Sequence, residues 1–312
     1  QQARESGGAE SVADFLVKQS EIPASLKEII EQRIQSGIKS PLKKLGHYVL
    51  IQKLGEGGMR AVFKGITLAD GPLKDENFGS YVAIKVLKKE ISDNKNLVDR
   101  FQREAMSAVM LRHANIVSAR GVGENDGFHF YVMEFFEGEP LDVVLKRDKR
   151  VPAAKALEII AGAAQGLEYA HGLNFIHRDI KPANIYLTAA GPSKLLDFGL
   201  VKNLETPNQQ ALTAPGTMMG SPHYISPEQV RAESELSGQT DIYSLGATFF
   251  HLVCGRPPFQ GESAAMVIMA HVSQPVPDPR ALAPDVSAGL AQVIVKMLAK
   301  ERKDRYKNCT EL

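Results

Sequence analysis

The sequence predicts an α+β chain in two parts, a strand-rich part followed by a helix-rich one. Between residues 48 and 135, short β-branched and apolar runs are separated by turn residues. Beyond Gly138, apolar residues recur at helical spacing. A length of 312 residues also exceeds what one hydrophobic core usually covers, so two lobes are expected. The division expected is an extension over 1–46, a first lobe over 47–137 and a second over 138–312.

Residues 1–10 are polar and small and read as a segment with no structure of its own. Two short amphipathic helices follow. Ser11-Val12-Ala13-Asp14 and Ser25-Leu26-Lys27-Glu28 both fit a capping box, in which side chains satisfy the first-turn N–H groups. Leu26, Ile29, Ile30 and Ile34 then share one helical face, as a strut on the neighbouring lobe or a docking segment. Strands are expected over 48–54, 61–67 and 81–87, a helix near 94–112, and strands over 116–122 and 128–135. Helices are expected over 157–170, 242–253, 264–272 and 288–298. A cleft between two such halves is a natural ligand site.

Composition excludes several classes of function. Lys+Arg 37 against Asp+Glu 36 leaves a formal charge of +1, with no global pull towards nucleic acid or an anionic membrane. Any phosphate site is therefore built locally. The two cysteines, Cys254 and Cys309, form no CxxC or Cys/His cluster and read as idle thiols, not a disulfide or zinc framework. No apolar run is long enough to span a membrane. The chain starts at Gln1 and stops at Thr310-Glu311-Leu312, inside what reads as a helix, as a piece cut from a longer protein would.

Four motifs carry chemistry. Gly55-Glu56-Gly57-Gly58-Met59-Arg60-Ala61-Val62 lies between two expected strands, where glycines let backbone N–H groups approach phosphate oxygens. Lys85 in Val82-Ala83-Ile84-Lys85 is a point charge for phosphates, with Glu104 on the next helix to hold it. His177-Arg178-Asp179-Ile180-Lys181-Pro182-Ala183-Asn184 gathers a carboxylate, a cation and an amide on one loop. Asp179 can accept a hydroxyl proton, Lys181 can neutralise a transferring phosphoryl group, and Asn184 can ligate a metal ion. Asp197-Phe198-Gly199 adds a hard carboxylate ligand suited to Mg2+.

In this order, the motifs resemble the signature set of the protein kinase family over about five-sixths of the chain. The resemblance implies a bilobal α+β kinase fold, a strand-rich N-lobe with one helix and a mainly helical C-lobe. It implies transfer of the γ-phosphoryl group of ATP to protein Ser/Thr hydroxyls, with Mg2+ or, alternatively, Mn2+. Lys85, paired with Glu104, would grip the phosphates; Asp179 would be the base, aided by Lys181; Asn184 and Asp197 would hold metal. Gly55, Glu56, Gly57 and Gly58 would cover the nucleotide, with Val62 and Ala83 above the adenine. Met133 would guard the back of the pocket, and Glu134, Phe135 and Phe136 would form the hinge. Glu228 would pair with Arg305, and Asp241 would brace the catalytic loop.

Lys181, Gly57-Gly58-Met59, Gly166-Leu167-Glu168-Tyr169-Ala170-His171 and Gly220-Ser221-Pro222-His223-Tyr224-Ile225-Ser226-Pro227-Glu228-Gln229 are similar to bacterial, Hanks-type Ser/Thr kinases. Arg178 before Asp179 implies control by activation-loop phosphorylation, with Thr213 and Thr217 as expected sites and Thr206 as a further hydroxyl. The family further implies a cytoplasmic domain, as part of a membrane-anchored chain or not, and homodimers for phosphorylation in trans.

Three positions depart from the pattern. Arg60 stands at the third glycine place, where it is expected to stiffen the loop tip, contact phosphates and lower turnover. Tyr186 replaces a small residue under the adenine, and Arg302 replaces a proline. The polar stretch 68–80 is longer than usual and reads as a loop without function. A pseudokinase scaffold is the alternative reading. It usually lacks one of Lys85, Glu104, Asp179, Asn184 and Asp197, and all five are present.

Overall fold

The computed structural model describes residues 23–36, 42–68, 79–198 and 222–312, the Ile34 side chain excepted. The first capping box, most of the 68–80 loop, Gly199, Thr206, Thr213, Thr217 and Gly220-Ser221 lie outside them. Two compact units divide the chain. The first runs to Val109 and includes Ala119–Phe135; the second is Met110–Ser118 with Phe136–Leu312.

In the first unit, α1 (Ala24–Gln35) precedes β1 (Lys43–Leu45), β2 (Tyr48–Glu56), β3 (Arg60–Thr67) and β4 (Tyr81–Leu87). Helix α2 (Lys95–Met110), β5 (Ala119–Asn125) and β6 (Phe128–Glu134) follow. The strands form one antiparallel sheet in the order β1-β2-β3-β4-β6-β5. Alternation along β4 separates its two faces. Val82, Ile84 and Val86 pack with Tyr48, Phe130 and Val132 on one side. Lys85 stands on the other, in a cross-strand row with Val62 and Tyr131.

Helix α1 closes a smaller core. Leu26 is buried with Val49 of β2 and Ile66 of β3, and Ile29 and Ile30 pack against them. The expected strut is therefore present, but its start differs from the expected capping box. Ser25 lies inside the helix, and its hydroxyl donates to the Gly79 carbonyl at 2.9 Å. The Pro23 carbonyl takes the first-turn N–H groups of Leu26 and Lys27 instead. Gly79 has φ +75°, and a Cβ there would sit 2.9 Å from the Pro23 ring, so a glycine is required.

The strand expected over 116–122 starts later, at Ala119. Ile116 instead makes a bridge to Leu195, and the Val117 N–H donates to the Leu195 carbonyl at 2.9 Å. Leu111 and Ile116 accordingly belong to the second unit's core.

That unit contains β7 (Gly138–Pro140), α3 (Leu141–Asp148), α4 (Ala153–Gly172), β8 (Ile185–Thr188) and β9 (Ser193–Leu195). Then come α5 (Pro227–Val230), α6 (Gly238–Cys254), α7 (Ala264–Ser273) and α8 (Ala288–Met297). Strands β7, β8 and β9 form a small sheet. Helix α6 is apolar almost all round and buried along its length, so α4 and α8 pack about it as a central post. At Gly246 a Cβ would lie 2.7 Å from Met297 Cβ, which is how closely α8 approaches. The expected C-terminal helix is a turn at 309–311. Among the described residues no helix is long and apolar enough to cross a membrane.

Replacing Leu26 with Ala should lower unfolding stability by about 2–5 kcal/mol if α1 belongs to the cooperative unit. Urea denaturation measures this; an unchanged midpoint would show that α1 opens independently of the sheet.

Candidate active site

In the first unit the site is organised by one carboxylate. Glu104, on the buried face of α2, is 6% exposed. Its Oε1 accepts from Lys85 Nζ at 3.0 Å, Tyr131 hydroxyl at 3.0 Å and Arg60 Nη1 at 2.8 Å. Lys85 is itself buried, so its charge is stabilised by this pairing. Val62, Ala83, Lys85 and Met133 share one face of the sheet through the pairs Val62–Lys85 and Ala83–Met133. Glu134 ends β6 at the register partner of Val82.

The glycine-rich turn is closed by the Gly57 N–H donating to the Arg60 carbonyl at 2.8 Å. A Cβ at Gly55 or Gly58 would meet nothing within 4 Å. No packing inside the protein therefore requires glycine there, and the open space suits a ligand that approaches the backbone. Lys53 and Lys88 flank Glu56 and push its carboxyl down to about 2.

In the second unit the loop that carries Asp179 is fixed from α6. Asp241 is fully buried and accepts from the backbone N–H of His177 at 2.8 Å and of Arg178 at 2.7 Å. Its Oδ2 also bonds His171 Nε2 at 2.8 Å. Arg178 has φ +66°, a conformation that costs about 1–2 kcal/mol for a residue with a Cβ. Gln229 holds the other side of that residue by donating to its carbonyl at 2.8 Å. His177 Nδ1 accepts from the Asp179 N–H, so its Nε2 carries the proton and donates to the Leu196 carbonyl at 2.8 Å.

Lys181 Nζ donates to Asp179 Oδ2 at 2.8 Å. Asn184 Nδ2 donates to the Asp179 carbonyl at 2.8 Å and to Oδ2 at 3.2 Å. These bonds use the Asn184 amide nitrogen and leave its amide oxygen as the atom that could meet a cation. The Leu196 N–H donates to the Asn184 carbonyl at 2.9 Å, which ties the strand end carrying Asp197 to this loop. Asp197 is another residue at positive φ, +58°. Amide and carboxylate oxygens make an all-oxygen donor set, which fits a hard divalent cation. Among the described residues no group of three or more His, Cys, Asp or Glu could hold a metal ion.

Tyr186 lies edge-on to Phe136, ring centroids 5.7 Å apart. Burial and the Asp197 and Asp142 carboxylates push its hydroxyl pKa up, so it stays neutral. Glu228 and Arg305 form a buried bidentate pair at 2.7 and 2.9 Å. Arg302 pairs with Glu233. Both cysteines are free thiols, and burial raises the pKa of each, Cys254 to about 11.

The sequence profile described as "Protein kinase domain" matches residues 48–312. The chain belongs to the protein kinase family. This kinase domain is 37% identical over 265 residues to a probable Ser/Thr-protein kinase PknB of Lactococcus lactis, covering 85% of the chain and 40% of that protein. Identity to the Ser/Thr-protein kinase PknA of Mycobacterium tuberculosis is 35%, over 84% of the chain and 59% of the relative. Identity to PrkC of Bacillus subtilis is 34%, over 86% and 39%. The PknI kinase domain of M. tuberculosis superposes with a TM-score of 0.65 at 27% identity, covering 87% of this chain and 96% of that one. The kinase domain is thus of the bacterial Hanks-type Ser/Thr class, and its family uses ATP and a divalent metal ion. It spans about two-fifths of the length of PknB and PrkC.

Three contributors were not singled out from the sequence: Tyr131, Gln229 and His171. The signal for Tyr131 was its place two residues before Met133 in a strand, which puts both on one face. Gln229 and His171 act through contacts 51 and 70 residues away, and no local pattern points to those partners.

An Arg305→Met variant should lose about 3–5 kcal/mol of stability at neutral pH, because Glu228 is left buried and unpaired. Burial raises the Glu228 carboxyl, but the Arg305 guanidinium outweighs it and holds the pKa below the usual value. The pair's contribution is therefore complete above about pH 4.3 and falls away as pH drops through the lower folded value. Denaturation across that range should show the gap between the two proteins narrowing in acid.

Proposed function

We propose that this kinase domain transfers the γ-phosphoryl group of ATP to Ser and Thr hydroxyls of proteins, its own activation loop among them. The observation that carries this reading is the Asp179 carboxylate held by Lys181 and Asn184 on a loop pinned to Asp241. In the proposed reaction the substrate hydroxyl gives its proton to Asp179 as its oxygen bonds the γ-phosphorus. The bond from that phosphorus to the bridging oxygen breaks, and its electron pair leaves with ADP. Lys181 neutralises charge on the moving phosphoryl group. Asn184 and Asp197 hold Mg2+, or Mn2+ in its place, which neutralises phosphate charge when bound. Lys85, set by Glu104, grips the α- and β-phosphates, and Gly55, Glu56, Gly57 and Gly58 cover them. Val62, Ala83, Met133, Glu134, Phe136 and Tyr186 are assigned to the adenine.

The wider setting is also a proposal. The domain is placed in the cytoplasm, by itself or as the catalytic part of a longer, membrane-anchored chain, with homodimers as one route to phosphorylation in trans. The length of the PknB and PrkC relatives supports a longer chain.

Incubation with γ-labelled ATP, Mg2+ and a generic basic protein should label Ser and Thr, and an Asp179→Asn variant should lose at least about 100-fold in rate. Nucleotide binding without any transfer would favour the pseudokinase reading. Mass spectrometry of the same reaction should locate phosphate on Thr213 and Thr217; phosphate confined to other residues would remove those two as the control sites.

A further inference from the structure

The Arg60 side chain has a specific destination. Its backbone is fixed three ways: Gly57 donates to its carbonyl, the Lys88 N–H donates to the Met59 carbonyl at 3.0 Å, and Arg60 pairs with Leu87 in the ladder. Arg60 stands two residues before Val62, the cross-strand partner of Lys85, so both cations leave the sheet on one face. They meet the same carboxylate. Arg60 Nη1 lies 2.8 Å from both oxygens of Glu104, and Lys85 remains 3.0 Å from Oε1. The guanidinium carbon is also 5.8 Å from the Phe101 ring, one turn earlier on α2. The side chain thus grips the helix at two positions three residues apart.

We propose that Arg60 is a positioning residue that clamps Glu104, and with it α2, to the start of β3. The proposal rests on the kinase reading of Lys85 and adds to it a second cation on the partner carboxylate. A glycine at this place has no side chain to hold the helix, so the Lys85 ammonium and the Tyr131 hydroxyl would hold Glu104 by themselves. An ammonium is a flexible point charge, whereas a guanidinium presents a rigid fork. With Arg60 in place the helix is ordered before nucleotide arrives, and the ordering cost is removed from the binding step. Glu104 and Lys85 are nearly buried, so salt screens these contacts little. The sequence alone leads to the expectation that a glycine at 60 raises turnover; the clamp instead predicts that loss of the side chain weakens ATP binding. Lys85 keeps its 3.0 Å contact while Arg60 is bound, so the carboxylate serves both cations without displacing either.

The test is steady-state kinetics of Arg60→Met and Arg60→Lys with a peptide substrate, with melting temperatures to show that both fold. Arg60→Met should raise the KM for ATP about tenfold and change kcat by less than about threefold, since the loss is in preorganised binding. Arg60→Lys should recover most of that loss. An unchanged or lower KM in Arg60→Met would overturn the clamp, as would a KM for Arg60→Lys as high as for Arg60→Met. Lys85→Met is measured alongside: undiminished transfer in that variant would overturn the reading of Lys85 itself, separately from that of Arg60.

Discussion

The second unit depends on the Asp241 carboxylate. An ionised group in a fully buried site is tolerated only when its charge and lone pairs are used. Here two backbone N–H groups and an imidazole use them. The effect propagates along the chain. Asp241 fixes His177 and Arg178, and the fixed His177 ring donates to Leu196. Leu196 donates in turn to Asn184, whose amide steadies Asp179. The strained backbone of Arg178 persists because its N–H and its carbonyl are both held from other elements. One rigid helix thereby sets the position of an aspartate more than sixty residues away in sequence.

The first unit uses the same device on a smaller scale. Glu104 on α2 gathers donors from β3, β4 and β6, as Asp241 on α6 gathers them from the loop after α4. In each case a buried anion on a helix gives fixed geometry to a functional group on a different element. Removal of either anion would leave several donors without partners, which is the expensive outcome for buried polar groups. The Glu228–Arg305 pair is a third case, joining α5 to the segment after α8.

Much of this was legible in the sequence because the chemistry is concentrated in short runs. Lys85, Asp179, Asn184 and Asp197 each sit in a local pattern whose meaning does not require the rest of the chain. The strands containing Val62 and Ala83 were legible for a similar reason, as short runs rich in β-branched and apolar residues. What failed was decided by distant partners. Ser25 had the spacing of a cap, but Pro23 had already taken that role and a carbonyl 54 residues away took the hydroxyl. The run after Ile116 had strand character, yet its first residues bonded to Leu195 instead of extending β5. Arg60 was marked as unusual by its place among glycines, but its partner lies 44 residues on, and nothing in the turn points to it.

Helix α1 has a further consequence for handling the protein. It shields Val49 and Ile66, two side chains that would otherwise lie at the outer surface of β2 and β3. Cleavage by a protease between residues 36 and 42 would free the helix to leave, and its departure would bare an apolar patch on a sheet. Such patches draw in further copies of the same surface. The cleaved form would then elute ahead of the intact chain in gel filtration as it self-associates, so sample age and protease content become variables in any assay of this domain.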